Sequence, residues 1–341
     1  MADSEGAERS RKRRQAADPR RQNQEQRRRR RGTRRLTLIG AASAVAVAVV
    51  AGVGWSIASR EGDDGHGTGS AVEGFTHIHG VALPGWASDG PFVATHDGLV
   101  EGGSDGGWRT VGEERHDFMG FTAHPTEEGR MFSSGHPAPG SSLVNPLGFM
   151  VSEDGGRTWE TRALEGEVDF HTMSVGAGGD SVYGWSQGLY RSEDEGFTWD
   201  VVNAPDLAEA EGATALAAHP EDPDEVWAGT QVGLLRSTDG GGTWDPVLAA
   251  GPVSAVHLDP SDPAHVLAYS VTDGLLESRD AGEEWSELGW LLEEDAVGHL
   301  AISPEDPDLV YAGTFGAGVH RSEDGGSTWE ALAREGRVVS D

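Results

Sequence analysis

The sequence predicts an all-β domain of six four-stranded units, a β-propeller, preceded by one transmembrane helix. Three observations carry that expectation. An eight-residue motif, Ser152-Glu-Asp-Gly-Gly-Arg-Thr-Trp159, recurs at 192–199, 237–244, 278–285 and 322–329, with serines 40, 45, 41 and 44 residues apart. That period suits four short strands per unit. Fifty Gly and short Val/Leu/Tyr runs separated by Asp-Pro and Gly-Gly turns fit strands rather than helices. Residues 36–58 carry no charge, a length that crosses a bilayer core as a helix.

The repeated motif is turn chemistry. Ser and Asp side chains bond nearby amides, Gly takes positive φ without a Cβ clash, and Trp anchors the following strand. A shortened copy stands at Ser104-Asp-Gly-Gly-Trp108. Six units can be counted, or seven if an irregular segment forms a blade.

Taken in order, residues 1–35 hold 14 Lys+Arg against 5 Asp+Glu and lack apolar periodicity, as expected of a disordered basic cytoplasmic tail. Positive charge beside the span 36–58 places the N-terminus inside and the following domain outside, a single-pass plasma-membrane protein. A 35-residue n-region and a 23-residue apolar run are too long for an ordinary cleaved signal peptide. Residues 59–72 read as a linker, 73–335 as the propeller and 336–341 as a C-terminal tail. The chain has no Cys, which excludes disulfides and thiolate metal sites. Beyond the tail the charge is about −40 within a net −31, which repels nucleic acid and anionic lipid. Thus the membrane is an expected partner and nucleic acid is not.

The expected inner strands are 76–82, 117–123, 169–175, 212–218, 252–258 and 296–302. Aligned on Val81, Phe121, Met173, Leu216, Val256 and Leu300, they present His79, Met119, His171, Thr214, Ser254 and Gly298 two residues earlier. Four residues before the anchors stand His77, Asp117, Asp169, Gly212, Pro252 and Ala296. Strand neighbours two apart share a face, so the first three blades offer His, Met and Asp where the others offer small residues or Pro. His96 and His136 end second strands at the same end of the disc, opposite the repeated turns. Glu113, Glu114, Arg115 and His116 arrive there too, and a long loop, 137–148, is placed to cover it. His124, His219, His257, His265, His299 and His320 are expected to be structural.

Three chemistries fit this cluster. His77, His79 and His171, joined by His96 or His136 and completed by Met119 or Asp169, suit a transition-metal site; imidazole and carboxylate suit zinc, copper or iron and a thioether favours copper. Asp117 and Asp169, with Glu114 nearby, offer the carboxyl pair of a glycoside hydrolase. In that case His96, His136, Arg115 and His116 would bind a glycan or another small polar ligand. The third reading is a non-catalytic protein- or glycan-binding propeller whose His residues line a channel. No Walker loop, dinucleotide motif or helical metalloprotease motif occurs.

The stretches His77-Ile-His-Gly80, Ala94-Thr-His-Asp-Gly-Leu99, 117–125, Ser134-Gly-His-Pro137, 147–156 and Asp169-Phe-His-Thr-Met173 resemble a bacterial family of exported Asp-box (BNR-repeat) propellers usually labelled glycosylhydrolase. The repeated turn is also similar to the Asp-box of sialidases, sortilin-type receptor domains, xyloglucan-degrading glycosidases and photosystem assembly propellers. The resemblance implies the propeller fold over roughly 75–333 and points to the same His, Asp and Met positions. It does not imply conventional sialidase activity: Arg191, Arg236 and Arg321 precede the turns on the wrong face, and no Arg-Ile-Pro motif occurs.

Overall fold

A computed structural model describes residues 69–87, 90–103 and 106–339. The expected tail, span and most of the linker lie outside the described residues, among which no helix is long and apolar enough to cross a membrane. Six antiparallel sheets follow one another along the chain, each built from consecutive strands. Blade one is Ile78–Ala82, Phe92–Thr95, Gly98–Gly102 and Trp108–Val111. The inner strands of blades two to six are Asp117–Ala123, Thr172–Gly176, Ala215–Ala218, Val253–Leu258 and Val297–Ile302. Each inner strand contacts the next, and the sixth returns to the first, so the ring closes at six blades.

Second strands such as Val226–Thr230 and Val310–Thr314 bury every residue. Their near-continuous apolar runs follow, because a neighbouring blade covers each face. Outer strands such as Asp245–Leu248 are only partly covered and carry polar residues. The core is therefore six layers, one between each pair of blades. Leu99, Phe118, Met131 and Trp159 form the layer between blades one and two. Val81, Val93, Tyr311 and Val319 form the layer that joins blade six to blade one.

Five repeated turns share one hydrogen-bond pattern. In blade two, Ser152 Oγ donates to Asp154 Oδ1 and accepts from Gly156 N–H, Asp154 Oδ1 accepts from Thr158 N–H, and Trp159 Nε1 donates to the Gly156 carbonyl. The second glycine of each turn also meets the preceding blade. A Cβ on Gly241, at φ +91°, would stand 2.3 Å from Leu189 Cδ2, and one on Gly156 2.2 Å from Leu99 Cδ2. The motif thus fastens blade to blade as well as closing a hairpin.

Two expectations are corrected. Inner strands of blades one, three and four begin later than predicted, at Ile78, Thr172 and Ala215, leaving His77 and Asp169 to His171 in the entry segments. Residues 336–341 are not simply a tail: Arg337–Val338 adds a fifth strand to blade six. Phe75 and Val338 amides donate to the Gly336 and Glu73 carbonyls, and the Val72 amide donates to Trp108 in blade one. A short staple therefore spans the first and last blades.

Candidate metal centre

His79 owes its position to a β-bulge. Ile78 pairs with Thr95 and Gly80 with Ala94, so His79 is the extra residue with no partner across the ladder. A bulge re-aims the side chain it carries. Ser254 and Gly298 occupy the same bulge in blades five and six. His96 follows the second strand of blade one, in a turn where Thr95 Oγ1 donates to the Gly98 carbonyl and accepts from Asp97 N–H. Asp117 opens the inner strand of blade two, opposite His136. Because blade one's second strand packs on that inner strand, His96 and Asp117 meet.

One ligand atom each from His79, His96 and Asp117 lies within 4.8 Å of the others. His96 Nδ1 is 2.7 Å from Asp117 Oδ1, and His79 Nε2 is 3.6 Å from the same oxygen and 3.4 Å from either His96 nitrogen. Asp117 Oδ1 is buried, and although His96 Nδ1 is within hydrogen-bonding distance, neither imidazole meets it with good donor alignment. Burial, reinforced by His96 and opposed by Asp117, lowers His79 to a pKa of about 3, so its imidazole is neutral at pH 7. Burial and His96 also lower His77, whose ring lies 5.1 Å from that of His96. Hydrogen bonding to the Asp117 carboxylate 2.7 Å away, helped by the charges of Asp117 and Asp97 and opposed by burial, instead raises His96.

A second group stands one blade further on. Asp169 Oδ2 lies 2.9 Å from His171 Nε2 and 3.3 Å from His136 Nε2. Burial alone would raise Asp169, but the hydrogen bond from His171, with the charges of His171, His136 and His79, draws it below the usual carboxylate range. His171 is correspondingly raised. Ser134 Oγ holds the entry segment by accepting from Phe170 N–H, and the His171 amide donates to Trp185.

The remaining candidates lie apart from these groups. Glu114 accepts from the Trp159 amide and is raised by burial and by Asp154 in the repeated turn of blade two. Arg115 donates to the Gly112 and Glu114 carbonyls. His116 is buried, and its Nδ1 accepts from Ala138 N–H, so it pins the 137–148 loop. These three form a wedge between blades one and two. Met119 is half-buried on the inner strand, where its carbonyl accepts from Ser133 Oγ.

Three residues escaped sequence reasoning. Asn145 Oδ1 lies 2.7 Å from His136 Nδ1; it sits in an irregular loop without a repeat partner to compare. His299 acts on His79 and, with His257, borders a cavity of about 170 Å³ framed by all six inner strands. Their expected role was purely structural, because the bulges that shift strand parity leave no local signal. His124 and His219 are structural as expected, each accepting two amide hydrogens of its own turn.

No protein-family model matches the chain, and no curated protein matches it in sequence. Among solved structures, it is similar to the GH74 xyloglucanase from Xanthomonas campestris, with TM-score 0.53 and 19% identity over 78% of this chain and 46% of that one. The GH74 enzyme of Niastella koreensis matches with TM-score 0.53 and 14% identity over 77% and 46%. A YCF48 structure bound to D1 peptide matches with TM-score 0.45 and 16% identity over 77% and 84%. The chain spans less than half the length of the two GH74 structures, and what it shares with them is the β-propeller fold.

Proposed function

We propose that this protein is a membrane-anchored, extracytoplasmic Asp-box propeller that binds a transition-metal ion, zinc or copper, at the mouth of its channel. His79, His96 and Asp117 are the ligands. The observation that carries the reading is the convergence of two imidazoles on a carboxylate oxygen that is buried without an aligned donor. Neutral His79 supplies a lone pair at pH 7, and two imidazoles with one carboxylate suit a first-row dication. Three protein ligands leave a coordination position open, as in zinc sites that bind an exogenous ligand. Half-exposed His96 lies on the solvent side, so that position is reachable.

Glycoside hydrolysis is the second reading, favoured by the placing of Asp117 and Asp169 on one face. Its general acid must be held protonated, whereas His171 and His136 keep Asp169 ionised, and Glu114, the raised carboxyl, points into the interblade wedge. The metal reading therefore ranks first. After chelator stripping, the full chain should bind a first, tight equivalent of zinc or copper with His79 and His96 intact. His79→Ala with His96→Ala should weaken that binding at least a hundredfold by calorimetry and elemental analysis. No bound metal and no affinity for either ion would remove the proposal.

A further inference from the structure

We infer that the centre has a second metal subsite, formed by His136, His171 and Asp169, so that the channel mouth takes two ions. This inference rests on the metal reading above. A one-blade step carries two of the three ligands of the first set onto the second: His96 follows and His136 ends a second strand, and Asp117 and Asp169 each stand four residues before the anchors Phe121 and Met173, whereas the step takes His79 to Met119 and His171 fills the third place instead. Their environments repeat as well. Both histidine side chains are 41% exposed, and the carboxylates are 22% and 17% exposed. Asp117 Oδ1 and Asp169 Oδ1 are each buried without a hydrogen-bond partner. A buried carboxylate oxygen without a partner is costly unless a cation completes it; in Asp117 it is the oxygen that faces the histidines, and in Asp169 it is the neighbour of the one that does.

The hydrogen bond of His136 to Asn145 adds an independent observation. With the Asn145 Oδ1 acceptor 2.7 Å from Nδ1, that nitrogen carries the proton. His136 Nε2 then faces Asp169 Oδ2 at 3.3 Å, a separation at which one cation could take both as ligands. Metal-ligating histidines commonly give their other N–H to such an oxygen, which fixes the tautomer. His171, 66% exposed, is the third ligand. The second set is therefore looser than the first, whose three atoms already lie within 4.8 Å, and should bind more weakly.

The test is cobalt(II) and zinc(II) titration of the chelator-stripped full chain, read by cobalt ligand-field absorption and by elemental analysis after equilibrium dialysis. Two equivalents are expected, the second at least tenfold weaker. His171→Gln, a change at an exposed side chain, should abolish the weaker step, and Asn145→Ala should weaken it about tenfold; both should leave the tight step unchanged. Circular dichroism confirms that each variant is folded. Saturation at one equivalent, or a second step indifferent to His171→Gln, overturns the second subsite while leaving the first. Absence of any binding overturns both.

Discussion

A neutral imidazole at the axial cavity makes the propeller sensitive to mild acid. Burial, with His265 adding and Asp259 opposing, lowers His257 to a pKa of about 4. The unfolded residue titrates near pH 6.5, so between those values the unfolded chain binds more protons than the folded one. The stability His257 contributes is complete above about pH 6.5 and is lost as the pH falls toward 4. A shift of that size corresponds to on the order of 1–3 kcal/mol. Urea midpoints at pH 7.5 and 4.5 should converge more for His257→Gln than for the native chain; equal losses would sink the assignment. The pH window lies above the range in which the turn aspartates, held low by their Thr hydrogen bonds, begin to protonate.

The same scale shows what could be read from the chain. His79, Asp117, Asp169 and His171 were legible because repeat alignment assigns equivalent places around an axis. Glu114, Arg115 and His116 precede Asp117 in the chain, yet the direction of a connecting segment is set by the blade it packs on. In this case Trp159 and Ala138 decide it, and both belong to the next blade.

At the scale of the element, the repeated turn was visible because its bonds close within eight residues. The interblade latch was not, since the atom that forbids a Cβ comes from the preceding blade. The two glycines of the turn differ accordingly. At the first position the chain already uses Glu195 and Ala281, both at φ 57°. At the second it keeps Gly156, Gly196, Gly241, Gly282 and Gly326, where an added Cβ would lie between 2.0 and 2.8 Å from a packed side chain. Gly155→Ala, at φ +73° with a Cβ that would meet only the Arg157 guanidinium at 3.2 Å, should cost about 1 kcal/mol from the strained φ alone. Gly156→Ala should cost about 2–4 kcal/mol from overpacking and a strained φ. Equal thermal shifts for the two variants would show that the turn acts within its own blade alone.

For the whole molecule, the decisive feature is how the ring is held shut. Among the described residues no strand is exchanged between blades, since each sheet uses consecutive strands. Closure therefore rests on the layer shared by blades six and one and on the staple across their edges. Gly336, at φ +73°, lets that staple form: a Cβ there would stand 2.4 Å from the Phe75 carbonyl oxygen. Deleting residues 335–341 removes the bonds from Phe75 to Gly336 and from Val338 to Glu73 and uncovers part of the layer containing Val338. At about 1 kcal/mol per bond, with a modest apolar loss, the melting temperature should fall by roughly 3–10 °C. Gly336→Val should reproduce much of the fall through one residue. Hydrogen exchange gives the location. The Phe75 amide should lose protection in both variants, while the Leu216 and Ala218 amides of blade four, across the ring, should keep theirs until global unfolding. An unchanged melting temperature with intact protection at Phe75 would mean that the apolar layer closes the ring without help from the staple.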